Sequence, residues 1–137
     1  VFSITVSHHQ NHGIIVVCVE GEISHANGLR IPEEMQKALA RYSSRRVLID
    51  LRKARNTSTT MENFGFALAV KRKEPELSEP HKPLRIAFLT ALEDESHDRV
   101  LSILSATLPA SGNSLVSKDE GSALSWLLSG PGFDADL

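Results

Sequence analysis

Three features of the sequence predict an α/β fold with a mainly parallel five-stranded sheet in the order ββαβαβαβα, the first strand antiparallel. Apolar strand-like segments alternate with amphipathic helical ones through most of the chain. The first two strand-like segments are separated only by a tight turn. The later strand-like segments are short and almost wholly apolar, as in strands covered on both faces.

The elements follow in order. Phe2, Ile4 and Val6 alternate with Ser3, Thr5 and Ser7, the period of a strand with one buried face. Asn11-His12-Gly13 is a turn in which Gly13 supplies positive φ, and Ile14 to Val19 is a continuously apolar inner strand. After Gly21 the period changes: Ile31, Met35, Ala38, Leu39 and Tyr42 form one helical stripe, with Pro32 in the first turn, where its missing N–H is not needed. Val47 to Leu51 is a short buried strand interrupted by Asp50. Thr59 and Glu62 make a capping box that opens a helix carrying Met61, Phe64, Ala67 and Leu68 inward and ending near Lys71-Arg72-Lys73. The Pro- and Glu-rich stretch from Glu74 to Pro83 is an exposed connector. Ile86 to Leu89 is the next strand. Val100, Leu101, Ile103, Leu104 and Leu108 mark a helix with Asp94, Glu95 and Asp98 near its start, where the helix dipole favours negative charge. Leu115-Val116 is a minimal last strand. Ser117 and Glu120 form a second capping box before a helix with Ala123, Leu124, Leu127 and Leu128 on one face, stopped at Gly130-Pro131-Gly132. A single domain over 1–130 with a short tail at 131–137 results.

Composition bounds the function. The chain has 137 residues, is 41% hydrophobic and 23% charged, and carries 15 basic against 17 acidic residues. A chain of this size buries about two thirds of its unfolded surface and needs no disulfide or metal staple. The charge balance gives no electrostatic reason to expect nucleic acid as a partner. The longest strictly apolar run, Ile14 to Val19, is far short of the roughly 20 residues of a membrane span. The one cysteine, Cys18, lies in that run and reads as a small buried hydrophobe. No charged, apolar, small-residue leader is read in the first residues, and a start at Val1 leaves the native beginning open. A reducing, cytoplasmic setting is the default expectation.

The pattern resembles the STAS domain of bacterial anti-anti-sigma factors, and more closely its SpoIIAA-like branch of small bacterial proteins. Three stretches carry the likeness. Val17-Cys18-Val19-Glu20-Gly21-Glu22-Ile23 is similar to the family's second strand ending in a Gly-containing turn. Val47-Leu48-Ile49-Asp50-Leu51-Arg52 is similar to its central strand. The run from Ser117 to Leu127 resembles the closing acidic turn and helix, with its Ala-Leu-x-Trp-Leu ending. The resemblance implies a regulatory or ligand-binding module and not an enzyme. In that family the loop after the central strand ends in an Asp followed by a phosphorylatable Ser. By offset from Asp50, Ser58 falls on the family's Asp and Thr59 on its hydroxyl, with Thr60 next. A phosphate there would meet free N–H groups and the positive end of a helix dipole. This chain departs from the pattern by lacking the acidic residue, and Thr59 is accounted for as the N-cap of its own capping box.

Glu20, Glu22 and His25 are expected past the end of the second strand, and Asp50 and Arg52 near the end of the third. In a parallel sheet these ends share a side with the Ser58–Thr60 loop and Thr90. Glu22, His25, Asp50, Arg52, Thr90 and, from the next helix, Phe64 form the candidate ligand or partner surface. The alternative is that Asp50 pairs with a neighbour while Glu22 and His25 are solvated. His8, His9 and His12 do not read as a metal site, because adjacent strand residues point to opposite faces. His97 and His81 show no partner. Arg52, Lys53, Arg55 and the 71–73 cluster read as solvated surface. No nucleotide-binding loop or Gly-x-Ser-x-Gly elbow occurs.

Three functions remain: a noncatalytic regulatory module whose Ser58–Lys73 segment contacts a protein partner, a domain binding a small apolar or lipid-like ligand against Met61, Phe64 and Leu68, and a hydrolase using strand-end carboxylates with His25. No cofactor is expected. A homodimer through the Phe2–Val6 edge or a helix face is left open.

Overall fold

The computed structural model describes residues 2–57, 84–98, 101–102 and 112–129. These form β1 (Ser3–His9), β2 (Ile14–Ile23), α1 (His25–Gly28), α2 (Arg30–Tyr42), β3 (Arg46–Asn56), β4 (Leu84–Leu89), β5 (Gly112–Ser117) and α3 (Glu120–Leu128). The sheet has the order β1-β2-β3-β4-β5; β1 is antiparallel to β2 and every other pairing is parallel. The expected sheet is therefore present. The expected helix and capping box at 59–73, the connector, most of the 100–108 helix and the tail lie outside the described residues.

Period-two alternation in β1 leaves Ser3, Thr5, Ser7 and His9 exposed and turns Phe2, Ile4 and Val6 toward the core. The turn after it closes through the Gly13 N–H donating to the His9 carbonyl at 2.9 Å, with Gly13 at φ 63. One sheet face packs Ile15, Val17, Val19, Val47, Ile49 and Leu51 against Ile31, Met35, Ala38 and Leu39 of α2. Fully burying one such aliphatic side chain is worth about 1.5–3 kcal/mol. The other face packs Ile14, Leu48, Ala87 and Leu89 against Ala123 and Leu127 of α3. The last turn of α3 is held from below. Arg46 and Arg85, level with each other in β3 and β4, donate to the carbonyls of Leu127 (3.1 Å) and Trp126 (2.7 Å). Cations there satisfy helix-end acceptors and oppose the negative end of the dipole.

The strands differ in length from the sequence reading. β2 does not turn at Gly21 but continues to Ile23, with Gly21 at φ 95, a conformation open to glycine. β3 does not end at Leu51 but runs to Asn56, pairing with β2 beyond a bulge that shifts the register between Cys18 and Glu20. β4 starts at Leu84 and β5 spans six residues. The unforeseen α1 is opened by a reciprocal box in which Ser24 N–H donates to Asn27 Oδ1 at 2.8 Å and Asn27 N–H to Ser24 Oγ at 3.3 Å. The capping box expected at Ser117 is not formed. Asp119 is the N-cap of α3, its Oδ2 accepting from the N–H (2.8 Å) and hydroxyl (2.7 Å) of Ser122.

Candidate functional site

The C-terminal ends of the parallel strands are where this architecture places ligands and partners. They lie at two levels here. Cys18, Asp50, Leu89 and Ser117 are in register across the sheet, and β4 and β5 stop there. β2 and β3 go on together to Ile23 and Asn56, an arm of six further β3 residues, or about 20 Å at 3.3 Å per residue.

At the lower level the polar side chains are committed to one another. Arg52 grips Asp50 with both carboxylate oxygens engaged, Nε to Oδ1 at 3.0 Å and Nη2 to Oδ2 at 2.8 Å, and its backbone N–H adds a third bond at 3.1 Å. At the bulge Arg52 and Lys53 are both exposed, between buried Leu51 and Ala54. Burial pushes the Asp50 carboxyl up, but the Arg52 hydrogen bonds and charge outweigh it and hold the group below its ordinary value. Arg52 also reaches Glu120 of α3 at 3.7 Å. Burial, with Asp50 and Glu20 nearby, pushes the half-buried Cys18 thiol up, which keeps it protonated.

Thr90 is fully buried and so is not a surface residue. Its backbone N–H donates to the Ser117 carbonyl at 3.0 Å, and its hydroxyl accepts from Lys118 Nζ at 3.2 Å. The same ammonium donates to the carbonyls of Ala91 (3.1 Å) and Asp94 (2.9 Å), so one cation latches the loop after β4 onto the end of β5.

That loop folds over the core side of the arm. His97 has a partner after all: it is 2% exposed, and its Nε2 lies 3.0 Å from the Ala54 carbonyl, which can only accept, so Nε2 carries the proton. Asp94 lies 3.6 Å from the same ring. Burial pushes the Asp94 carboxyl up, but bonds from Ser96, with the His97 ring and Arg55 nearby, bring it below its ordinary value. Ser96 Oγ accepts from the Asn56 N–H at 3.0 Å, and Leu101 joins the core beside Ala54. No sequence signal marked His97, because its partner is a main-chain carbonyl far away in sequence.

The opposite side of the arm is an exposed charged strip. Glu20 pairs with Lys53 at 3.7 Å, and Glu22 lies level with Arg55. Glu20 and Glu22 are thus inside β2, not beyond it. Glu22 is four residues, about 13 Å, past the level of Asp50. His25, exposed in the first position of α1, is further still. The structure therefore brings Asp50 and Arg52 together, leaves Thr90 buried one residue past Leu89 at their level, and sets Glu22 and His25 further out. At the tip, Thr57 is pinned to β2, its N–H (2.9 Å) and hydroxyl (3.0 Å) both donating to the Ile23 carbonyl. The Ser58–Thr60 loop, Phe64 and the other apolar residues of the ligand reading lie outside the described residues. Among the described residues no group of three metal-ligating side chains occurs, and no helix is long and apolar enough to cross a membrane.

No family model matches the sequence, and no curated protein matches it. Solved structures do. An uncharacterized DUF3478-family protein with a SpoIIAA-like fold from Shewanella loihica PV-4 matches 92% of this chain and 93% of its own, with a TM-score of 0.55 at 17% identity. An anti-sigma factor antagonist from Mycobacterium paratuberculosis matches over 93% and 94%, with a TM-score of 0.58 at 19% identity. The anti-sigma factor antagonist SpoIIAA in its unphosphorylated form matches over 94% and 99%, with a TM-score of 0.50 at 12% identity. At such identities the likeness concerns architecture, and the chain has the SpoIIAA-like, STAS-type α/β fold.

Proposed function

We propose that the chain is a noncatalytic regulatory module that acts by binding a protein partner at the outer part of its strand-end rim: the β2–β3 arm with Glu22 and His25 at the start of α1, together with Ser58, Thr59 and Thr60, which follow Thr57 in the sequence. The observation that carries this reading is the commitment of the lower level. Asp50 is gripped by Arg52 and Thr90 by Lys118, so the charged and hydroxyl groups at that level are occupied in holding the rim together. The arm, in contrast, presents Glu20, Glu22, Lys53 and Arg55 to solvent. Two structural neighbours are named as anti-sigma factor antagonists, proteins that act on other proteins, which supports the same class of function. Control by phosphorylation at Thr59 or Ser58 is part of the proposal only as a modifier of the partner contact.

The test is capture from native extract by the wild-type chain and by Glu22→Lys, His25→Ala and Thr59→Ala. The reading expects a protein held by the wild type and weakened on the order of tenfold by at least one of the three, the loss of one well-placed contact. Equal capture by all four chains sinks it. A Thr59→Glu chain that binds as the wild type does removes the phosphorylation part alone.

A further inference from the structure

The outer edge of β1 pairs with no strand among the described residues. It also lacks the features that keep sheet edges from pairing. Ser3–His9 contains no Lys, Arg, Asp, Glu or Pro, and its register with β2 runs from Ser3 to His9 without a bulge. Helix α2 lies alongside it, fixed to both ends of the strand. The Arg30 guanidinium sits 5.5 Å from the centre of the Phe2 ring, and His8 stacks on Tyr42 with ring centres 4.5 Å apart. The helix thus follows β1 along its length and in the same direction.

Arg30, Glu34, Lys37 and Arg41 recur at i, i+4, i+7 and i+11, which places them on one flank of α2, the flank that brings Arg30 to Phe2. The single carboxylate on it, Glu34, is taken up by Lys37 at 3.4 Å. What results is a strand edge competent to pair, overhung by a basic helix flank.

We infer that this edge accepts an extended acidic segment of a partner protein by strand addition. Main-chain hydrogen bonds to β1 hold the segment, and its alternate side chains select it. Those on one face meet Arg30, Lys37 and Arg41. Those on the other continue the row of Ser3, Thr5 and Ser7. Charge decides the occupant. A second copy joined edge to edge about a two-fold axis would set one flank of three cations and one carboxylate against another of the same sign, which costs free energy. An acidic strand is drawn in by the same field. Exposed ion pairs contribute little each, so the charges act mainly as a filter, and binding weakens as salt screens them. This proposal does not depend on the partner reading above.

The experiment is a fluorescence-anisotropy titration of the full chain into a labelled peptide of four Thr-Glu repeats. A Thr-Lys repeat and a Thr-Glu peptide N-methylated at alternate residues are run in parallel. Saturable binding is expected for the Thr-Glu peptide alone, weaker at high salt, and reduced on the order of tenfold in Lys37→Glu/Arg41→Glu. Both substitutions are at exposed positions, and an unchanged thermal melt verifies that the variant is folded. No saturable binding, binding undiminished in the variant, or equal binding of the Thr-Lys or N-methylated peptide overturns the proposal. So does sedimentation as a dimer that is abolished by Thr5→Lys, since a second copy would then occupy the edge.

Discussion

The two levels of the strand-end rim are built from the same residue types and put them to opposite uses. At the level of Asp50, Leu89 and Ser117, the charged and hydroxyl side chains satisfy one another and close the end of the sheet. Along the arm beyond it, Glu20 and Lys53 face each other across 3.7 Å with half or more of each side chain in water. The first set reads as structure and the second as surface. A carboxylate near a strand end is therefore not by itself a site, and its partners decide what it is for.

Substitutions sharpen that contrast by the size of their effects on stability. His97→Ala is the most costly, at about 3 kcal/mol, because it opens a cavity in the core and leaves the Ala54 carbonyl without its donor. Urea unfolding measures it, and a loss within the range of an ordinary surface change would mean that the loop does not depend on this ring. Lys118→Met comes next, at about 1–2 kcal/mol, since three acceptors lose one charged donor that is itself near water. Faster amide exchange in the loop after β4 than in β2 should accompany it.

Asp50→Asn costs about 1 kcal/mol near neutral pH, the loss of charge from a twofold grip on Arg52. Its pH dependence follows from the sign of the shift. The folded carboxyl titrates below its ordinary value, so its contribution is complete above that value and is lost as the pH falls through the folded one. The stability gap between wild type and Asp50→Asn should accordingly close on acidification below about pH 4. A gap that widens there would contradict the pairing. Smallest of all is Lys53→Met on the arm, within about 0.5 kcal/mol of the wild type, as for exposed ion pairs generally.

The apolar runs made the core legible: Val17 and Val19 in β2 and Val47 and Ile49 in β3 are buried as their patterns require. The true length of β3 was not legible. The bulge breaks its alternation, so that Leu51 points in, Arg52 and Lys53 point out, and Ala54 points in again, a series that reads as a strand ending in charged loop. The short α1 was hidden because its box uses Asn27 where Glu or Gln is the usual signal. Of the candidate site, the Asp50–Arg52 pair could be suspected from spacing, since residues two apart share a strand face. The Thr90–Lys118 latch and the His97–Ala54 bond join residues far apart in the chain, and local patterns do not encode such contacts.

Photo-crosslinking in native extract tests the division between the two levels most directly. A photoreactive phenylalanine analogue is placed, one position at a time, at Glu22 on the arm, at Thr60, three residues after Thr57 in the sequence, and at exposed Ser125 on α3. The account predicts the same partner adduct from positions 22 and 60 and none from 125. Adducts from 125 with none from 22 or 60 would contradict it.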